Sequence, residues 1–216
     1  MNFDLFDDEA SEPGLETIVD GAVVLRGFAT GISGALLAAI DQVAAKSPFR
    51  HMETPGGHSM SAAMTCCGEL GWVTDRRGYR YEARDPVTGQ SWPRMPPLFL
   101  ELASEAAAAA GFDDFVPDAC LINRYRRGSK MGLHQDRDER DFSQPIVSVS
   151  LGLPMVFQFG GPRRGDRPVR VPLGHGDVVV WGGKVRRNYH GVLTLKAGDH
   201  PLTGACRYNL TFRKAG

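Results

Sequence analysis

The chain has 216 residues, 42% of them hydrophobic, which is enough apolar material for one domain with a buried core. No apolar run approaches the roughly 18 residues of a membrane-spanning helix. The start MNFDLFDDEASEPG lacks the basic and apolar parts of a secretory signal. The four cysteines form neither a disulfide framework nor a C-x-x-C zinc motif, so we expect a reducing, cytoplasmic setting.

The net charge is zero, but the charges are unevenly distributed along the chain. Residues 1–20 contain seven acids and no lysine or arginine, which leaves the rest of the chain positive. Basic residues cluster at Arg76-Arg77 with Arg80 and Arg84, Arg124 with Arg126-Arg127, Arg163-Arg164 with Arg167 and Arg170, and Lys184 with Arg186-Arg187. Such clusters could bind phosphates or form an ordinary solvated surface, and charge alone does not separate the two.

The first part of the chain predicts a loose start followed by a strand and a helix. Residues 1–16 are acidic without apolar periodicity, which predicts a flexible terminus ahead of a single domain at 17–216. The β-branched run from Ile18 to Leu25 predicts a strand. Apolar residues at helical spacing predict a helix from Ser33 to Ala45, which Pro48 would end.

Residues 47–97 differ in composition from the segments around them. They hold many Gly, Pro, Met, Tyr and Trp residues and few long apolar runs. This composition favours a flexible recognition segment over core structure. The run LFLELASEAAAAA at 98–110 then predicts a helix that stops at Gly111.

After Pro117 the chain predicts short β-strands separated by turn residues. Many short strands at this spacing favour an all-β sandwich or barrel. The predicted strands are Ala119–Tyr125, Ile146–Leu151, Met155–Gln158, Val169–Leu173, Asp177–Trp181, Tyr189–Leu195 and Cys206–Arg213.

The first chemical motif is His134-Gln135-Asp136, followed downstream by His190. Residues i and i+2 of an extended segment point the same way, so an imidazole and a carboxylate can reach one metal ion. Two histidines and one carboxylate on one face of an ion leave positions open, as non-haem Fe(II) oxygenases require. A single H-x-D is also common by chance. His175 competes with His190 for the third position, although it stands in a polar turn.

The second motif is the sequence RYNLTFR at 207–213. As a strand it places one polar set on one face: Arg207, Asn209, Thr211 and Arg213. Inward-facing arginines need an anion, and a dicarboxylate suits the planar guanidinium fork. Asn123 and Tyr125 share a face of an earlier strand and could complete that site. The alternative is an edge strand with both arginines in water. This alternative is less favoured because the metal motif occurs in the same chain, in the order that one mechanism requires.

These segments together resemble the AlkB family of alkylation-repair dioxygenases, in particular its bacterial founding member, from about Phe28 onward. The resemblance rests on SPFR (47–50), TPGG (54–57), GW (71–72), PDACLINRY (117–125), LHQD (133–136), IVSVSLGLP (146–154), HGDVVVWGG (175–183), YHG (189–191) and RYNLTFR (207–213).

The resemblance implies a mainly β (α+β) fold, a double-stranded β-helix or jelly roll. It implies N-terminal helices, a nucleotide-recognition lid at 47–90 and a catalytic core at 117–214. It further implies Fe(II) held by His134, Asp136 and His190. It implies 2-oxoglutarate held by Asn123, Tyr125, Arg207, Asn209 and Arg213. From the family motif we expect Arg207 at the carboxylate nearer the metal and Arg213 at the distal one.

The implied activity is O2-dependent demethylation of 1-methyladenine and 3-methylcytosine in DNA, with RNA as a second candidate, releasing formaldehyde, succinate and CO2. The methylated base must leave the stack to be reached. Trp72 and Tyr79 would hold it against the ring of His134, and Asp138 would accept from its exocyclic amine. Thr54 and Met64 are weaker candidates for residues of the lid. Arg164 lies in a loop that matches a DNA-contacting loop of the family.

Some positions depart from the family pattern, namely His58, Arg126-Arg127 and Gly132, so strand preference and sequence context stay open. We expect a monomer acting on single- or double-stranded methylated DNA, with no membrane and no obligate protein partner. Two alternatives remain. One is a 2-oxoglutarate oxygenase of a protein or small metabolite, which would not need Trp72, Tyr79 or Asp138. The other is a non-catalytic metal-binding jelly roll.

Overall fold

The computed structural model describes residues 14–216, and residues 1–13 of the expected flexible terminus lie outside them. The described chain has helices α1 (Ser33–Lys46) and α2 (Pro97–Ala109). Its strands are β1 (Gly14–Val19), β2 (Ala22–Arg26), β3 (Ala63–Gly68), β4 (Gly71–Asp75), β5 (Gly78–Glu82), β6 (Ala119–Tyr125), β7 (Met131–His134), β8 (Ile146–Gly152), β9 (Met155–Phe159), β10 (Val169–Leu173), β11 (Val178–Trp181), β12 (His190–Val192) and β13 (Arg207–Arg213).

Most strands belong to two antiparallel sheets. The larger sheet has the order β1-β2-β11-β8-β13-β6-β3, and the smaller one has the order β10-β9-β12-β7. Side chains from both sheets meet in one apolar core, including Val179 and Trp181 of the larger sheet and Phe157 and Val171 of the smaller. The result is the mainly β jelly roll that the sequence predicts, with two helices added.

Alternate residues of the large sheet enter different environments because successive side chains of a strand point to opposite faces. In β8, Val147 and Val149 pack in a core that also contains residues of α1 and α2, such as Ile40 and Phe99. The helices therefore cover one face of the large sheet. The opposite face of β8, β6 and β13 is left for the polar residues that form the site.

The N-terminal strand prediction needs two corrections. The segment predicted as one strand is a hairpin of β1 and β2 that turns at Asp20-Gly21, where Gly21 has φ 83°. Gly14 to Glu16, assigned to the flexible terminus, belong to β1, and the Glu16 carboxylate pairs with Arg26 at 2.6 Å. These residues are ordered by partners in β2, which local composition does not reveal.

The composition-based interpretation of residues 47–97 is only partly right. Strand β3 is buried and pairs with β6 in the large sheet, contrary to the expectation of a segment outside the core. Its sequence AMTCCG has little β-branched or aromatic content, so propensity gave no signal. The β4–β5 hairpin, in contrast, forms a separate two-stranded sheet. Within residues 14–216, neither helix is long and apolar enough to cross a membrane.

Candidate active site

Three predicted metal ligands meet at the end of the small sheet. The pairing of β12 with β7 places His190 directly opposite His134, and Asp136 follows β7 two residues later. One ligand atom from each residue lies within 4.8 Å of the other two. The Asp136 carboxylate is 3.5 Å from Nε2 of His134 and 3.8 Å from Nε2 of His190.

The backbone orients both imidazoles toward that point. Nδ1 of His134 lies 2.9 Å from the Gly132 carbonyl oxygen, and Nδ1 of His190 lies 3.0 Å from the Asn188 carbonyl oxygen. A carbonyl accepts, so Nδ1 carries the proton and Nε2 keeps a free lone pair. Hydrogen bonds of this kind orient metal-binding histidines. The donor set therefore fits a divalent transition metal.

The electrostatics favour the ligand forms of two of these residues. Burial would raise the pKa of Asp136, but Arg213 and the two imidazoles outweigh it and hold that pKa well below its usual range. Burial, together with the neighbouring His134, lowers the pKa of His190 to about 3. The site thus offers an ionised carboxylate and a neutral imidazole at neutral pH.

The sequence left His175 as an alternative third ligand, and the structure decides against it. Nδ1 of His175 accepts the Gly152 backbone N–H at 2.9 Å, and its ring packs on His200 with centroids 4.5 Å apart. Among the described residues, only the set with His190 brings three ligand atoms together.

Strand β13 builds the second part of the site. It lies between β8 and β6, with Arg207 opposite Tyr125 and Asn209 opposite Asn123. All five predicted cosubstrate residues line one cavity beside the metal ligands: Asn123, Tyr125, Arg207, Asn209 and Arg213. Each is buried. The alternative of an edge strand with both arginines in water is therefore wrong.

Arg207 shows what this cavity can hold. Its guanidinium is buried beside the Tyr125 ring at 5.2 Å and donates one hydrogen bond, from Nη2 to Ser150 Oγ at 2.9 Å. Nε and Nη1 have no hydrogen-bond partner among the described residues, and neither has Oδ1 of Asn123. A buried cation without an anion is unfavourable. A carboxylate of 2-oxoglutarate would supply the missing anion and accept hydrogen bonds from the guanidinium.

The expected order of the two arginines is wrong. Arg213 contacts the metal-binding acid, with Nη2 2.6 Å and Nε 2.7 Å from Asp136 Oδ2. Arg207 lies at the opposite end of β13, beside Tyr125 and Ser150. The arginine nearer the metal is therefore Arg213, and Arg207 faces the distal end of the cavity. The motif alone does not say which end of the strand approaches the metal.

A buried polar network behind Arg213 was not anticipated. Glu139 lies 3.4 Å from Nε of Arg213 and 3.5 Å from Nη2 of Arg186, and it accepts a 2.8 Å hydrogen bond from the Tyr81 hydroxyl. Arg186, assigned from sequence to a surface basic cluster, is fully buried, and its Nε donates to the Gln144 carbonyl at 2.9 Å. This network connects strand β5 of the hairpin to the metal-binding carboxylate through two side chains.

A second cavity of about 260 Å3 opens above the metal ligands. Its walls include five of the six predicted substrate residues: Met64, Trp72, Tyr79, Asp138 and Arg164. The rings of Trp72 and Tyr79 stack with centroids 5.7 Å apart and planes 18° from parallel. Nε1 of Trp72 donates to Asp138 Oδ2 at 2.9 Å, and the Arg164 guanidinium lies 5.2 Å from the Tyr189 ring centroid.

Thr54 does not line this cavity. Its hydroxyl accepts the backbone N–H of His58 at 3.2 Å instead.

Sequence reasoning also missed several wall residues with no local signature, including Met60, Met131 and Gln135. Ser148 and Ser150 were missed too, although their alternation with valines in IVSVSL marks a polar face of a buried strand.

A His-Asp-His set next to an arginine-lined anion cavity, inside a jelly roll, is the arrangement of Fe(II)- and 2-oxoglutarate-dependent oxygenases. Comparison with known proteins agrees. The family model described as the 2OG-Fe(II) oxygenase superfamily matches residues 21–213. The chain is 59% identical over 213 residues to Alpha-ketoglutarate-dependent dioxygenase AlkB of Escherichia coli (strain K12), covering 99% of this chain and 98% of that protein. The chain therefore belongs to the AlkB family of these dioxygenases, which use Fe(II), 2-oxoglutarate and O2.

More distant relatives extend the similarity. Nucleic acid dioxygenase ALKBH1 of Homo sapiens is 33% identical over 124 residues, covering 57% of this chain and 32% of that protein. The solved structure described as that of OsALKBH1 superimposes with a TM-score of 0.81 at 29% identity, covering 93% of this chain and all of the other.

Proposed function

We propose that this dioxygenase oxidatively demethylates N1-methyladenine and N3-methylcytosine in DNA, releasing formaldehyde, succinate and CO2. The observation that carries the proposal is the cavity above the metal ligands, which combines stacked aromatic rings with the Asp138 carboxylate. Methylation at these positions makes the base cationic, and an adjacent carboxylate attracts a cation. A relative is named as a nucleic acid dioxygenase, which supports the substrate class.

The residues of the lower cavity would hold the iron and the cosubstrate. His134, Asp136 and His190 would bind Fe(II), which when loaded with 2-oxoglutarate supplies the activation of O2. Arg207 would take the distal carboxylate of 2-oxoglutarate, with its guanidinium held by Ser150. Arg213 would orient the end of the cosubstrate that lies next to Asp136.

The residues of the upper cavity would position the base. A base that has left the stack can insert against aromatic rings and be recognised at its exposed edge. Trp72 and Tyr79 would lie against one face of the base and the ring of His134 against the other, and Asp138 would accept from its exocyclic amine. Met64 adds an apolar wall that excludes water. Arg164 is exposed at the rim and would contact a phosphate.

The lid proposed at 47–90 would consist mainly of the β4–β5 hairpin, since β3 pairs within the large sheet. The jelly-roll core would span 117–214 within a single domain at 17–216. We also propose that the enzyme works as a monomer in the cytoplasm. All four cysteines are free thiols, and three of them are buried, which suits a reducing compartment.

Mass spectrometry of oligonucleotides carrying 1-methyladenine or 3-methylcytosine tests the proposal. We expect loss of the methyl mass and equimolar formaldehyde after incubation with Fe(II), 2-oxoglutarate and ascorbate. Asp136→Ala should abolish turnover, whereas Asp199→Ala, which removes an exposed acid lining neither cavity, should not. Succinate formation that is indifferent to the methylated oligonucleotide would point to a protein or metabolite substrate. No succinate at all would point to a non-catalytic metal protein.

The same assay separates DNA from RNA and single from double strands. Matched oligonucleotides that differ only in sugar or in strandedness are compared by kcat/KM. The proposal of DNA as the main substrate is wrong if the RNA oligonucleotide is turned over more efficiently.

A further inference from the structure

The turn between β6 and β7 carries an exposed cluster of positive charge that the proposed site does not use. Arg126, Arg127 and Lys130 are all exposed there. Neither arginine makes an ion pair with any residue in the described part of the chain, whereas Arg80 is paired with Asp75 and Glu82. We name these three residues the turn cluster.

The turn cluster stands on a rigid backbone. Arg126 and Ser129 close the turn, since the Ser129 N–H donates to the Arg126 carbonyl at 2.8 Å and the Arg126 N–H donates to Ser129 Oγ at 3.2 Å. Gly128 has φ 87°, which a glycine adopts freely, and its N–H donates to the Leu195 carbonyl at 3.0 Å. The charges therefore project from a fixed platform rather than from a loose loop.

Three hydrogen bonds attach this platform to the wall of the upper cavity. Ser61 Oγ donates to the Lys130 carbonyl at 2.9 Å and accepts the Lys130 N–H at 3.0 Å. Ser129 Oγ donates to the Ser61 carbonyl at 2.8 Å. Met60 and Met131, the chain neighbours of Ser61 and Lys130, both line the cavity. The turn cluster thus lies at one side of the cavity rim.

The cavity itself is lined by two further exposed arginines, Arg137 and Arg164. A nucleic-acid strand that delivers one base into the cavity carries its neighbouring phosphates along the rim. Arg126 and Arg127 are both exposed, so each guanidinium is free to contact a phosphate.

We propose that the turn cluster binds backbone phosphates of the strand that carries the methylated base, beyond the nucleotide in the cavity. This inference rests on the proposed function for its ligand. Each guanidinium that contacts a phosphate releases counterions, so the contribution to affinity weakens as salt rises. The turn cluster thus extends the contact surface with the nucleic acid and takes no part in the demethylation reaction.

The test measures binding of a long single-stranded oligonucleotide at several salt concentrations, without turnover. The slope of log K against log salt should become shallower by about 0.7 for Arg126→Ala or Arg127→Ala, and by about 1.4 for the double variant. The double lysine variant, which keeps both charges, should restore most of the slope. Arg94→Ala removes an exposed arginine that lines neither active-site cavity, and it should leave the slope unchanged.

A kinetic comparison adds a second readout. The double alanine variant should have a higher KM for the long methylated oligonucleotide and an unchanged kcat. Its KM for the methylated mononucleotide should also be unchanged, because a mononucleotide has no flanking phosphates. An unchanged salt slope, or an equal loss for mononucleotide and oligonucleotide, overturns the inference. Failure of the wild-type enzyme to demethylate any oligonucleotide would instead count against the proposed function, because binding is measured separately.

Discussion

Replacing Arg207 with methionine should remove tight 2-oxoglutarate binding without destabilising the ligand-free protein. Arg207 is 1% exposed and faces no carboxylate among the described residues. Its buried charge is therefore uncompensated until an anion arrives. Methionine keeps an unbranched stem of similar length and removes the charge, so the ligand-free variant should be at least as stable as the wild type.

The loss of affinity follows from the contacts that the guanidinium offers. Two nitrogens, Nε and Nη1, are buried without partners, which leaves the guanidinium free to bind a carboxylate. Truncating one partner of such a buried charged pair costs about 2–5 kcal/mol. At about 1.4 kcal/mol per tenfold, Kd should rise between about 30-fold and about 4,000-fold.

Calorimetric titration with 2-oxoglutarate, with Mn(II) in place of Fe(II), measures Kd directly. Thermal unfolding gives an independent readout. Excess 2-oxoglutarate at 100 times the wild-type Kd should stabilise the wild type by about 2.7 kcal/mol, and the same concentration should stabilise the variant by about 0.9 kcal/mol at most. Arg170→Met, on the exposed edge of β10, is the matched control. The reasoning fails if Arg207→Met binds 2-oxoglutarate within threefold of wild type, or if its ligand-free form is clearly less stable.

Two further results are expected. Tyr81→Phe removes the hydrogen bond to Glu139 and should raise KM for 2-oxoglutarate about fivefold, the equivalent of about 1 kcal/mol, through a less firmly held Arg213. Tyr208→Phe, on the other face of the sheet, should not, and equal effects of the two variants would refute the coupling. In the folded protein at pH 8, iodoacetamide should alkylate only the partly exposed Cys206. The other three cysteines are buried, and burial raises the pKa of Cys66 to about 12. Early modification of a buried thiol in peptide mass spectra would contradict this.

Local patterns predicted those parts of the site that depend on alternation within one strand. The polar face of RYNLTFR and the i, i+2 relation of His134 and Asp136 need only the two-residue period of a strand. The structure confirms both. The α1 and α2 helices were also predictable, since their signals are local.

Features that depend on pairing between distant segments were not predictable. The choice of His190 over His175 follows from the register of β12 on β7, and the order of the two arginines follows from which end of β13 lies beside Asp136. The contact of Tyr81 with Glu139 joins residues 58 positions apart, and no periodic pattern in the sequence indicates it. Strand β3 was missed because its small residues gain their stability from the neighbour strand and not from propensity.

Strand β13 has a consequence for how the chain assembles. It is the last strand in chain order, yet it sits between β8 and β6 in the middle of the large sheet. A growing chain that has reached only β12 already contains every iron ligand but neither arginine of the anion cavity. Strands β8 and β6 can pair with β13 only after β13 has been synthesised, and these pairings join segments that are far apart in the sequence. Contacts of this kind make β proteins slow to fold. Both arginines of the anion cavity therefore join the site only once β13 has been inserted between β8 and β6.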